Sequence, residues 1–230
     1  METGLAGRRA AIATPTVSLG LACARALVAE GARIAICGPS EIELHAGLHD
    51  LGPAVTALRV DVSSPDAAQA FVQQAADRLG GLDILIVGGS KPLMGTFTDT
   101  PLEDYEAALQ RDLLSIVAMC RTALPTMHAQ RWGRIVVITS AGHKVIPEFI
   151  VANATADATH GLLEILALES VVDGVTVNGV QLSLDLNDGT IPGVLLDDFG
   201  TVVAFVCSAQ ARLITGAMIP IGSDADVGLS

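Results

Sequence analysis

The chain has 230 residues, half of them apolar, with 13 basic against 25 acidic side chains and a net charge of −12. That length suffices for one α/β domain with a full core, read here as a single unit over 1–230. The acidic balance argues against a nucleic-acid partner, which needs a basic footprint, but it leaves a phosphate-bearing small molecule open.

No apolar run approaches the ~20 residues of a membrane helix. Arg8 and Arg9 near the N-terminus are followed by no long apolar stretch, since Pro15 interrupts the run over 10–14. Neither a membrane span nor a signal peptide is expected, and the expected location is the cytoplasm. Cys23, Cys37, Cys120 and Cys207 sit singly in apolar segments without a C-x-x-C. They read as buried reduced thiols, with no metal site. His45 and His49, spaced with Glu41 at helical intervals, read as a solvated face for the same purpose.

In chain order, a buried strand over 10–14 leads into a helix over 18–30 ended by Gly31. A strand over 33–37 is broken by Gly38-Pro39, and Ser40 can cap a helix over 41–51. A third strand, 55–60, precedes a helix opened by Ser64-Pro65 and running to Leu79. Gly80-Gly81 turns into a strand over 83–87. A long helical region follows Pro101 to about Gln130, then a fifth strand over 134–138. After the helix from Asn153 to Ser170 come a sixth strand, 175–180, a short helix, 198–208, and a last strand, 217–221. Short β-branched runs alternating with helices imply a doubly wound, Rossmann-like parallel sheet of seven strands with helices on both faces, a three-layer α/β/α fold.

Four segments carry more than fold. They are the turn Ala13-Thr14-Pro15-Thr16-Val17-Ser18-Leu19-Gly20, the dipeptide Asp61-Val62, the strand end Ile138-Thr139-Ser140-Ala141-Gly142, and Ile214-Thr215-Gly216-Ala217-Met218-Ile219. Together they resemble the short-chain dehydrogenase/reductase family, and the resemblance runs from Gly7 to about Asp224. It implies a dinucleotide site in which Thr14, Ser18 and Gly20 hold the places of three glycines, Asp61 contacts adenine, and Gly88 lies where an asparagine passes the ring. Only Gly20 keeps its glycine. Thr14 adds a branched side chain where the main chain should approach phosphate, and Pro15 lacks an N–H. Thr16 or Ser18 can cap the helix instead. The expectation is that no cofactor is bound, with NAD(P) as the alternative.

The resemblance also implies a catalytic serine, here Ser140, and a Tyr-x-x-x-Lys pair on the following helix. Thirteen residues beyond Ser140 stands Asn153, and four further on Asp157. The position of the family's relay asparagine holds Asp112. A carboxamide does not titrate in the useful range, and an aspartate in place of a lysine opposes a developing negative charge. Two carboxylates, Asp112 and Asp157, are thus expected to face one cleft, with His160 within reach of Asp157 on the same helix. His143 and Lys144 lie in the loop between. The family's substrate-covering insert is expected to be shortened, because 184–199 passes quickly to the last helix.

These readings favour a non-redox enzyme of isomerase, lyase or cyclase type acting on a carbonyl-bearing or polyketide-like small molecule. Ser140, Asn153, Asp157, Asp112 and His160 are its candidate catalytic residues. The alternatives are a non-catalytic partner of an active homologue and an NAD(P)-dependent oxidoreductase. A homo-oligomer, dimer or tetramer, is the expected assembly, or a hetero-oligomer with such a homologue.

Overall fold

The computed structural model describes residues 2–14, 16–38, 47–88, 90, 93–139, 148–182 and 193–222. Seven strands form one sheet: β1 (Arg9–Ala13), β2 (Arg33–Gly38), β3 (Val55–Arg59), β4 (Ile84–Gly88), β5 (Gly133–Thr139), β6 (Val175–Leu182) and β7 (Met218–Ile221). Their order is β3-β2-β1-β4-β5-β6-β7 and every pairing is parallel. The order reverses between β1 and β4, which makes that gap the topological switch point of a doubly wound sheet.

The helices are α1 (Val17–Ala29), α2 (Pro65–Leu79), α3 (Leu102–Leu109), α4 (Ser115–Ala129), α5 (Ile150–Ser170) and α6 (Gly193–Cys207). Alternate strand residues feed two cores. Ala11, Leu85, Ile135 and Val177 pack against α2, α4 and α5, whereas Ala10, Ile12, Ile86 and Val136 pack against α1 and α6. Parallel strands covered on both faces need apolar residues at both parities, and β5 and β6 are buried at every position.

Local sequence explains several boundaries. Ser64 caps α2 through a hydrogen bond accepted from the Ala67 N–H, Pro65 takes the first helical position, and Gly80 closes the helix in the left-handed region. Thr16 is the N-cap residue of α1 but makes no capping hydrogen bond through its side chain, contrary to the sequence expectation. The expected helix over 41–51 falls mostly outside the described residues, and His49–Ala54 forms a 3₁₀ turn around Pro53. The last helix begins earlier than expected, at Gly193. Of residues 184–199, where the shortened insert was placed, 184–192 lie outside the described residues and the rest belong to α6.

The long helical region after Pro101 is not uniform. A π turn, Gln110–Leu114, joins α3 to α4. The buried Ser115 hydroxyl donates to the Gln110 carbonyl at 2.9 Å, five residues back. Such turns are recurrent at functional sites because they re-aim side chains without breaking the helix. Among the described residues no helix is long and apolar enough to cross a membrane.

Candidate active site

Two cavities open at the carboxyl ends of the strands, one on each side of the switch point. The first, about 90 Å³, is lined by Thr14 after β1, Cys37 and Gly38 at the end of β2, and Val60, Asp61, Val62 and Ser63 after β3, with Arg111. Asp61 is exposed and one of its oxygens accepts the Ser63 N–H at 3.0 Å, while Val62 is buried beside it. A fixed acceptor next to an apolar wall suits a purine nucleoside.

The second cavity, about 40 Å³, is lined by Gly88 and Ser90 after β4, Ile138 and Thr139 at the end of β5, Arg111, Asp112 and Ile116 around the π turn, and one face of α5. Ser90 donates its hydroxyl to Asp112 Oδ1 at 2.6 Å. Arg111 holds the same carboxylate with both teeth of a fork, Nε to Oδ1 at 2.9 Å and Nη2 to Oδ2 at 2.6 Å. That pairing pushes the Arg111 guanidinium above its ordinary range. Arg111 lines both cavities and so bridges the switch point.

Helix α5 shows which side chains reach the second cavity. Its buried stripe is Val151, Thr155, Thr159, Leu163, Ala167 and Ser170, at the i, i+4 spacing of one helix face. Val151, Ala152, Thr155, Ala156 and Thr159 line the cavity. The Thr155 hydroxyl donates to the carbonyls of Val151 and Ala152, each at 3.1 Å. The Thr159 hydroxyl donates to the Asp112 carbonyl at 3.4 Å.

This corrects the assignment of Asn153 and Asp157. Residues two apart on a helix differ by about 200° in direction, so when Thr155 and Thr159 point inward, Asp157 points away. Asp157 is exposed and does not line the cavity, and Asn153 is half-buried and outside its lining. His160 is also exposed and faces Glu164 at 3.7 Å, four residues on, rather than Asp157. Among the described residues lining the cavity Asp112 is the one carboxylate, and Arg111 pairs with it. Thr155 and Thr159 set the buried face of α5, and Ala152 and Ala156, also four apart, line the cavity beside them. The spacing of thirteen from Ser140 assumed a fixed loop length, which loops do not keep. The apolar and small residues recurring every four positions from Val151 to Ala167 were the signal that would have found this face. Arg111 and Ser90 were also missed. Ser140, His143 and Lys144 lie outside the described residues.

The turn after β1 differs from an all-glycine turn in a definite way. The Thr14 side chain is buried, donates to the Thr16 carbonyl at 3.3 Å, and lies under α1 where Gly20 leaves room for it. A Cβ at Gly20 would overlap Thr14 Oγ1 and lie 3.2 Å from Ile36 Cδ1. Gly20 therefore lets the helix sit close on the sheet. Ser18 stands half-buried in the first turn of α1, whose N–H groups face the carboxyl edge. Gly88 has φ 95°, and a Cβ there would run into the Ile138 carbonyl. At that position the backbones of β4 and β5 lie too close for a side chain, and Gly88 lines the cavity with main chain alone. The residues present therefore fit a dinucleotide: Asp61 and Val62 at the adenosine end, the first turn of α1 and Arg111 in the middle, Gly88 at the nicotinamide end. Among the described residues no group of His, Cys, Asp and Glu could hold a metal ion.

The family model described as short chain dehydrogenase matches residues 9–184. The chain is 33% identical over 183 residues to a D-beta-hydroxybutyrate dehydrogenase of Rhizobium meliloti, covering 75% of this chain and 69% of that protein. Among solved structures, a short-chain dehydrogenase/reductase of Serratia marcescens superposes with a TM-score of 0.84 at 25% identity, over 94% of this chain and 97% of that one. An acetoin dehydrogenase from Enterobacter cloacae gives 0.81 at 25% identity, over 93% of each chain.

Proposed function

This chain belongs to the short chain dehydrogenase family, and from that premise we propose that it is an NAD(P)-dependent oxidoreductase interconverting a hydroxyl and a carbonyl group on a small molecule. The expectations of a non-redox enzyme and of no cofactor are overturned by its relatives, which are dehydrogenases of hydroxybutyrate and acetoin. The electrostatic objection to redox chemistry falls with the position of Asp157. Among the described residues no second carboxylate lines the cavity, and the one present is paired with Arg111.

The observation that carries this reading is the placement of two cavities on either side of the switch point, where α/β folds of this kind take a dinucleotide. When bound, the nicotinamide accepts or supplies the hydride. Gly88 lines the cavity with main chain alone, and Ile116, Ile138 and Val151 give it a dry wall. Asp112 is an acceptor, and Ser90 joins it to the cavity. In alcohol oxidation the substrate hydroxyl passes its proton to Ser90 Oγ as Ser90 passes its own to Asp112, while Arg111 steadies the carboxylate. Such positioned proton transfer supplies ~10²–10⁴-fold in rate.

Self-association through the long helices is part of the proposal. Leu168 and Val172 are 72% and 70% exposed at the end of α5, with Ile165 beside them, and Leu102, Leu109 and Leu114 are exposed around the π turn. Four free, buried cysteines support a reducing compartment such as the cytoplasm.

Calorimetric titration with NADH and NADPH tests the cofactor. Following nicotinamide absorbance with 3-hydroxybutyrate, acetoin and related alcohols tests the reaction. Saturable binding of either dinucleotide and turnover of a member of that panel are expected; no binding of either dinucleotide sinks the reading. Trp132 is a poor optical reporter, since it precedes β5 and lies between the guanidiniums of Arg8 and Arg134. It is about 20 Å along the strand from the cavities.

A further inference from the structure

We infer that Arg111 is a cofactor-positioning residue of this chain, holding the pyrophosphate of the dinucleotide in place of contacts that a glycine turn would make. The inference rests on the oxidoreductase reading and adds to it a residue outside the glycine-rich turn.

Three observations meet at this side chain. Arg111 lines the adenosine-side cavity together with Thr14 and Asp61, and the substrate-side cavity together with Gly88 and Ser90. A ligand long enough to occupy both must pass it, and the part of a dinucleotide between its two nucleosides is the pyrophosphate. The guanidinium is also aimed and held. Asp112 engages Nε and Nη2, and among the described residues Nη1 has no hydrogen-bond partner. A planar fork with one face fixed by a carboxylate presents its remaining donors to an oxyanion in a set orientation. Finally, the inward face of α5 carries no cation, because Thr155 and Thr159 occupy it, and Thr159 bonds the main chain of Asp112. Among the described residues lining either cavity, Arg111 is the one cation. Thr14 is buried under α1 at the edge of the adenosine-side cavity, where a glycine would present main chain alone, so a side-chain donor from across the switch point takes up the charge.

The test uses calorimetry on the full chain and its Arg111→Met variant, with NADH, NADPH, ADP-ribose and adenosine as probes. The loss of a charge-assisted hydrogen bond should weaken the dinucleotide and ADP-ribose about ten- to a hundredfold. Adenosine, which has no phosphate, should keep its affinity within about twofold. The Arg111→Met/Asp112→Asn double variant removes the stranded carboxylate as well and should show the same loss; it decides the matter if the single variant fails to fold. On the unaltered protein, phenylglyoxal modification read by mass spectrometry gives an independent answer. ADP-ribose should protect Arg111 and adenosine should not.

Wild-type affinity for the dinucleotide retained in the variants, or absence of protection, overturns the role of Arg111 and leaves the oxidoreductase reading standing. Equal loss for adenosine and ADP-ribose also overturns it, since the contact would not be to phosphate. So does an unchanged cofactor affinity accompanied by a raised KM for an anionic substrate. Failure of the unaltered protein to bind either dinucleotide overturns both readings together.

Discussion

The contact between Thr14 and Gly20 offers a test of the nucleotide turn that needs no substrate. A Cβ at Gly20 overlaps Thr14 Oγ1, while the next atoms, Ile36 Cδ1 and Ile12 Cγ2, stand at 3.2 and 3.6 Å. Gly20→Ala alone must therefore push α1 off the sheet or force Thr14 from its buried site, at a cost of about 1–3 kcal/mol for overpacking. Thr14→Gly alone removes a buried methyl, worth about 0.8 kcal/mol, and the bond to the Thr16 carbonyl, worth about 1 kcal/mol. Backbone entropy adds about 0.5–1 kcal/mol, for a total near 2–3 kcal/mol. In the double variant the overlap is gone and the remaining neighbours can give by a few tenths of an ångström. It should be no less stable than Thr14→Gly alone, leaving a coupling of about 1–3 kcal/mol. Urea unfolding with a common m value measures all four corners of the cycle. NADH affinity should fall in Gly20→Ala and recover in the double variant, because both report the seating of the α1 N-terminus. Additivity within about 0.5 kcal/mol would refute the packing argument.

Three further outcomes are expected. Asp112→Asn should lower kcat for alcohol oxidation by ~10²–10⁴-fold with cofactor affinity changed far less; a kcat within threefold of wild type removes Asp112 from the proton path. Asp157→Ala and His160→Ala, both on the exposed face of α5, should each leave urea stability within about 0.5 kcal/mol and turnover unchanged, and a large loss of activity in either would restore the register rejected above. Asp83 governs an acid limb. Burial alone would raise its carboxyl, but hydrogen bonds from the Arg9 side chain and N–H and the charges of Arg9 and Arg8 outweigh that and hold it below the ordinary value. Its stabilisation is therefore complete above the unfolded value of about 4 and is lost as pH falls through the lower folded value. Asp83→Asn should flatten that part of a stability–pH curve measured by urea unfolding, and an unchanged slope below pH 4 would contradict the assignment.

Much of the fold was open to reading because its signals are local. Short β-branched runs such as Arg134-Ile135-Val136-Val137-Ile138 cannot be amphipathic helices, and Ser64-Pro65 and Gly80-Gly81 punctuate a helix unambiguously. The nucleotide turn was legible in register, since α1 follows it without a gap, and Asp61 and Gly88 were placed by the strands that end beside them. The site on α5 was misread for a complementary reason. Its register was carried across the loop 140–147, and each residue of error in loop length turns the helix by about 100°; Asn153 and Asp157 fall outside the cavity lining. The charge balance of the site, and the chemistry argued from it, changed with that rotation.

What the amino-acid order determined by itself was the alternation of strands and helices, and with it a parallel sheet covered on both faces. Apolar periodicity is a property of a segment and needs no partner to be seen. Only the tertiary structure decided that Arg111 stands between two cavities, that Ser90 meets Asp112 across 22 positions of sequence, and that α5 turns threonines inward. Those facts depend on where separate elements come to rest against one another, and that is set by packing across the whole sheet.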